Sequence, residues 1–138
     1  MATTNATINI TSDISPGVNI SKSMTMHKLQ SSTGIEETGG LRTKRFTAAS
    51  AVVVVEEDEY TNTKASKLYM RNTGSSTSNF FYVAKHASAA AADTDAETIG
   101  KLYGGDWMLI PYLADVNITV APNTAETMTL EWMVFAEN

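Results

Sequence analysis

Apolar and polar side chains alternate along most of this chain with a period of two, the spacing of strands that bury one face. Between Asp115 and Val120, the residues Val116, Ile118 and Val120 fall on one side and Asp115, Asn117 and Thr119 on the other. The C-terminal stretch sets Met128, Leu130, Trp132 and Val134 against Thr127, Thr129, Glu131 and Met133, which predicts a docked terminal strand. Residues 5 to 10 oppose Ala6, Ile8 and Ile10 to Asn5, Thr7 and Asn9. Residues 18 to 26 continue with Val18, Ile20, Met24 and Met26 on one side, Lys22 being the exception. A run of valines predicts a strand over 46 to 55, and apolar clusters predict others over 66 to 72, 79 to 85, 98 to 103 and 106 to 112. No window carries the three-and-four apolar spacing of an amphipathic helix.

Turn residues punctuate these segments at Ser15-Pro16-Gly17, Gly39-Gly40, Gly74-Ser75-Ser76, Gly104-Gly105-Asp106 and Ala121-Pro122-Asn123. The expectation is an all-β fold, an antiparallel β-sandwich or jelly roll of about eight or nine strands. It forms a single domain over residues 1–138, with an N-terminal strand or arm at 1–15 and long loops at 31–45 and 86–97.

The segment 98–112, TIGKLYGGDWMLIPY, concentrates aromatic residues around a Gly-Gly pair. A tight turn at Gly104-Gly105 would pair Ile99 to Tyr103 with Asp106 to Tyr112 as a hairpin. Trp107, Leu109 and Pro111 then share one face and Met108, Ile110 and Tyr112 the other, so both faces are apolar. Pro111 argues for an edge or a strand end. Core or intersubunit packing is favoured over a sugar-stacking platform, because Asp106 is the only obvious polar group beside the rings.

Composition narrows the chemistry. A chain of 138 residues buries roughly two-thirds of its unfolded surface and needs no staples. Cysteine is absent, which removes disulfides, thiolate nucleophiles and Cys-ligated zinc. A net charge of −5 disfavours nucleic-acid backbones as partners. Without a basic and apolar leader, or an apolar stretch near the ~20 residues of a span, the chain reads as soluble, unexported and free of membrane.

His27 falls on the polar register of its strand, and His86 has no carboxylate or serine at suggestive spacing, so neither reads as a general base. Asp93, Asp95 and Glu97 begin like a calcium loop. Thr98 and Gly104 stand where that loop needs glycine and a bidentate glutamate, leaving a solvated acidic loop as the better reading. Arg42, Lys44 and Arg45 precede the valine run and Glu56, Glu57, Asp58 and Glu59 follow it; gatekeeping of an aggregation-prone strand is favoured, beside a dipolar surface that orients the domain against a partner. No catalytic residue, metal site or cofactor is predicted, and the chain is expected not to be an enzyme.

The succession LYMRNTG (Leu68–Gly74), NFFYV (Asn79–Val83), IGKLYGGDWMLIP (Ile99–Pro111) and LEWMVF (Leu130–Phe135) resembles small all-β virion proteins of tailed phages, particularly those of marine and cyanobacterial hosts. The resemblance covers about residues 66 to 135, through strand motifs rather than a catalytic signature. It implies a capsid decoration, or cement, protein on the virion surface, made in the host cytoplasm, with the major capsid protein as partner and a homo-oligomer, a trimer foremost. On that reading Arg42, Lys44 and Arg45 face the capsid, Tyr103, Trp107 and Tyr112 form the subunit interface, and residues 87 to 97 are the distal tip. The alternative is a tail, head-tail connector or tail-fibre module that binds a glycan or receptor.

Overall fold

A computed structural model describes residues 4–12, 18–26, 37–61, 63, 66–86 and 97–136. Eleven antiparallel strands occupy the described residues: β1 (Asn5–Ser12), β2 (Val18–Thr25), β3 (Glu37–Thr38), β4 (Arg42–Phe46), β5 (Val52–Val55), β6 (Ser66–Asn72), β7 (Phe80–His86), β8 (Thr98–Tyr103), β9 (Trp107–Tyr112), β10 (Asn117–Pro122) and β11 (Met128–Ala136). The first two form a hairpin of their own, in register from Asn5 opposite Thr25 to Ser12 opposite Val18. The rest build two sheets, β5-β10-β7-β8 and β3-β11-β6-β9, with β4 on the same edge of β11 as β3.

From β4 onward the pairing is nested. β4 pairs with β11, β5 with β10, β6 with β9 and β7 with β8. That is a long antiparallel ribbon wrapped into two facing sheets, a jelly roll. Every connection from β4 to β11 crosses between the sheets except β7 to β8, which stays within one.

Alternation decides which side chains meet inside. Leu68 and Met70 of β6 and Leu130, Trp132 and Val134 of β11 face Phe81 and Val83 of β7 and Ile118 and Val120 of β10, all buried. Phe46 meets Phe81 edge-on across the sheets, ring centroids 5.1 Å apart at 61°. The predicted terminal strand is the most enclosed strand of its sheet, with β3 and β4 on one side and β6 on the other.

Three expectations change. The strand predicted over 46 to 55 is two elements: β4 ends at Phe46 and β5 begins at Val52, because residues 47–51 carry the chain from one sheet to the other. The loop predicted over 31–45 contains β3 and β4; residues 31–36 lie outside the described residues. β4 escapes a hydropathy reading because it is an exposed edge strand whose inward register carries Arg42 and Lys44 before reaching its one buried residue, Phe46. Finally, β10 was expected to bury one face, yet all six of its residues are buried. It lies between β5 and β7, and its outward Ala121 packs with Ala84, Ala51 and Tyr82, while Asn117 Oδ1 accepts the Glu57 amide at 2.9 Å.

Thr119 Oγ1 is buried in β10 without a hydrogen-bond partner, and an unpaired buried hydroxyl costs about 1–3 kcal/mol. Thr119→Val keeps the shape and removes the hydroxyl, so urea unfolding should show a gain of about 1 kcal/mol. Leu130→Ala, by contrast, should lose about 2–5 kcal/mol to the cavity it leaves in the fully buried core.

Candidate docking surface

The β1–β2 hairpin has two unlike faces. On one, cross-strand partners bond through their side chains: Thr25 Oγ1 donates to Asn5 Oδ1 (2.8 Å), Ser21 Oγ donates to Asn9 Oδ1 (2.6 Å), and the Thr7 and Ser23 hydroxyls share a bond of 2.9 Å. On the other face lie Ala6, Ile8, Ile10, Val18, Ile20 and Met24, interrupted by Lys22. Ile8, Ile10, Val18, Ile20 and Met24 are 38–45% exposed, unlike the inward faces of the sandwich strands. The hairpin is an amphipathic sheet whose apolar side the described residues leave partly open to water.

That open side adjoins β9. Ala6, Ile8, Ile10 and Met24 from the hairpin and Trp107 to Ile110 from β9 line a mostly apolar cleft of about 560 Å³. β9 is an edge strand, paired with β6 alone. Its inner register, Met108, Ile110 and Tyr112, packs on the core, while Trp107 stands 51% exposed on the outer register.

The Gly104-Gly105 turn does not make the expected hairpin. β8 pairs with β7 and β9 with β6, so the turn carries the chain from one sheet to the other. Backbone bonds hold the crossing: Gly104 N donates to Ser76 O, Gly105 N to Asn72 O, and Asn72 N to Asp106 O, each at 3.0 Å. A Cβ on Gly104 would lie 2.5 Å from Ser76 N, and Gly105 adopts φ 89°. Asp106 Oδ2 accepts the Tyr103 amide at 3.0 Å, which makes it a turn residue rather than a polar group offered to a ligand.

The residues predicted to act together are dispersed. Tyr112 is 6% exposed and belongs to the core, its hydroxyl donating to Val116 O at 3.1 Å, so it cannot face another subunit. Its even-numbered position on β9 points inward, a direction that the two apolar faces of the strand concealed. Tyr103 and Trp107 are both exposed, but they sit on different sheets. Of the basic residues, Arg42 is bound to Glu59 in an ion pair that raises its pKa, while Lys44 reaches over the Phe46 ring at 5.9 Å. Arg45, on the opposite register of β4, donates to Thr127 Oγ1 at 3.5 Å. Of the three residues expected to face the capsid, only Arg42 is tied to a carboxylate among the described residues.

Sequence reading missed a second surface cluster. On β7 and β8, Phe80 packs against Tyr82 and Tyr103, both at 4.9 Å, and Lys101 Nζ lies 4.7 Å from the Phe80 ring centre. The outward alternation of Phe80 and Tyr82 was its only signal. Lys101 also lies 5.3 Å from the Tyr82 ring centre, so the ammonium shares ring faces that a stacking sugar would need.

Among the described residues no group of three or more His, Asp or Glu side chains is placed to hold a metal. His27, Asp93 and Asp95 lie outside the described residues; His86 ends β7 opposite Asn117.

No family model and no curated protein matches the chain. Among solved structures, a mitogen derived from Yersinia pseudotuberculosis is similar over 74% of this chain and 87% of its own, with 9% identity and a TM-score of 0.46. PliG of Aeromonas hydrophila, a periplasmic inhibitor of g-type lysozyme, is similar over 72% and 86% respectively, with 16% identity and a TM-score of 0.37. Both likenesses are too distant to bear on function, and the architecture rests on the strand order itself.

Two measurements follow from this geometry. Gly104→Ala forces backbone apart at the sheet crossing and should lower unfolding free energy by about 1–3 kcal/mol in urea titrations. Burial, aided by the nearby carboxylates of Glu59, Asp115 and Glu57, pushes the Tyr112 hydroxyl up to about 12. An unfolded tyrosine ionises near ~10, so the contribution of neutral Tyr112 is whole below that pH and is lost as pH rises to about 12. Stability measured between those values should fall less steeply in Tyr112→Phe than in the native chain. Burial also raises the Tyr60 and Tyr69 hydroxyls, which accounts for the slope that remains.

Proposed function

We propose that this chain is a non-enzymatic structural protein of a phage virion, a capsid decoration protein that bridges and stabilises major capsid subunits. The observation that carries the reading is the hairpin whose apolar face is left exposed beside a closed sandwich core. Such a face is costly in isolation and useful in an assembly. The resemblance of the strand motifs to those of small phage virion proteins supports the same class.

The mechanism is mechanical. A decoration protein adds buried area across capsid seams, and each contact can be weak because the lattice repeats it. The rigid jelly roll serves as the strut. Lys44 and Arg45 on the exposed edge strand β4 supply most of the electrostatic part of the contact with the capsid, and Arg42, partly neutralised by Glu59, supplies less. The virion surface is the corresponding location.

Quantitative mass spectrometry of gradient-purified virions of the encoding phage tests this reading by copy number. A lattice multiple of the major capsid protein is the expected result. A few copies per particle would move the protein to the tail or the connector, and none would remove it from the virion. Lys44→Ala combined with Arg45→Ala should weaken capsid attachment roughly 10-fold at low salt and much less at high salt. Attachment unchanged in a pelleting assay would discard β4 as the contact.

A further inference from the structure

We infer that the hairpin's apolar face and the adjoining edge of β9 pack against the same surface of a second copy of this chain. Three observations converge on that occupant. First, a lone two-stranded sheet is marginal in water and gains stability when its apolar face is covered by further strands. Second, the open face and the exposed outer stripe of β9 belong to the same chain, so two copies present matching apolar surfaces to each other, as symmetric association requires.

The third is area. Taking ~200 Å² for a large side chain fully exposed, Ile8, Ile10, Val18, Ile20, Met24 and Trp107 offer about 500 Å² at their observed exposures. A stable interface buries about 800 Å² per partner, somewhat over half of it apolar. These six residues match the apolar share of that area, and the polar rim completes it. Lys22, which also lines the cleft, is the single charge on the hairpin's apolar face, and its long apolar stem lets the ammonium reach water at the rim of such a contact. Since each copy carries a net charge of −5, salt should leave the association intact or strengthen it.

Sedimentation equilibrium of the purified full chain, with no particles present, tests this independently of the capsid reading. The native chain is expected to self-associate at about 10 μM or below. Ile10→Asp with Ile20→Asp should weaken that at least ~10-fold while leaving the buried Trp132 emission of the sandwich unchanged. A native chain that stays monomeric would overturn the inference, and loss of particle binding by the double variant of such a monomer would make the capsid the occupant instead.

A cysteine-free chain permits a second readout that does not depend on the charged variants folding at the hairpin. Ile10→Cys and Trp107→Cys chains, mixed and oxidised, can cross-link only between copies. Heterodimers should form faster than with Asn9→Cys, which lies on the hairpin's polar face, in place of Ile10→Cys. Equal rates would reject the arrangement.

Discussion

Removal of the two sheets' inner faces from water is the constraint on which the rest of the molecule depends. Phe46 meets Phe81 at the seam, and around that contact Leu68, Met70 and Leu130 lie fully buried against Val83 and Val120. Nested pairing makes this closure cooperative. The first strand of the sandwich lies beside the last, so no part of the core is complete until β11 has inserted between β4 and β6. Contacts so distant in sequence place the chain among slow-forming topologies.

Closing the core in this way fixes where the remaining surfaces point. β9 becomes an edge because its inward register is committed to the core, and Trp107 is left outside by the same alternation that buries Tyr112. The Gly-Gly crossing holds that edge against the β6–β7 loop through Ser76 and Asn72, so Trp107 is presented by backbone contacts rather than by a loose loop. The hairpin is different in kind. It has its own register and its own ladder of Asn, Ser and Thr bonds, and its apolar face is outside the closed core. Rigid sandwich and open hairpin divide the labour between shape and attachment.

Much of the strand content was legible because alternation bounded by turn residues is a local property. Residues 66 to 72 and 98 to 103 are strands over the predicted spans. Partners were not legible. β8 and β9 look like a hairpin at short range, and what prevents it is the pairing of β8 with β7 and of β9 with β6, partners that local sequence does not announce. β4 was hidden by its charges, and the burial of β10 on both sides by small outward residues that carry little hydropathy. Alternation showed that β1 and β2 each have an apolar side, but it cannot say whether anything covers that side. Of the six residues expected to make contacts, Tyr103 and Trp107 are exposed, Tyr112 is buried, and Arg42 is paired with Glu59.

The chain has two tryptophans, and the fold has divided them. Trp132 sits buried in the interior between the sheets, while Trp107 stands half exposed in the lining of the cleft. Their ultraviolet emission is therefore two signals in one spectrum. The blue component reports the integrity of the sandwich, and the red component, open to collisional quenchers, reports the state of the attachment surface. The molecule carries its own two-channel optical gauge, in which coming apart and letting go are separately visible.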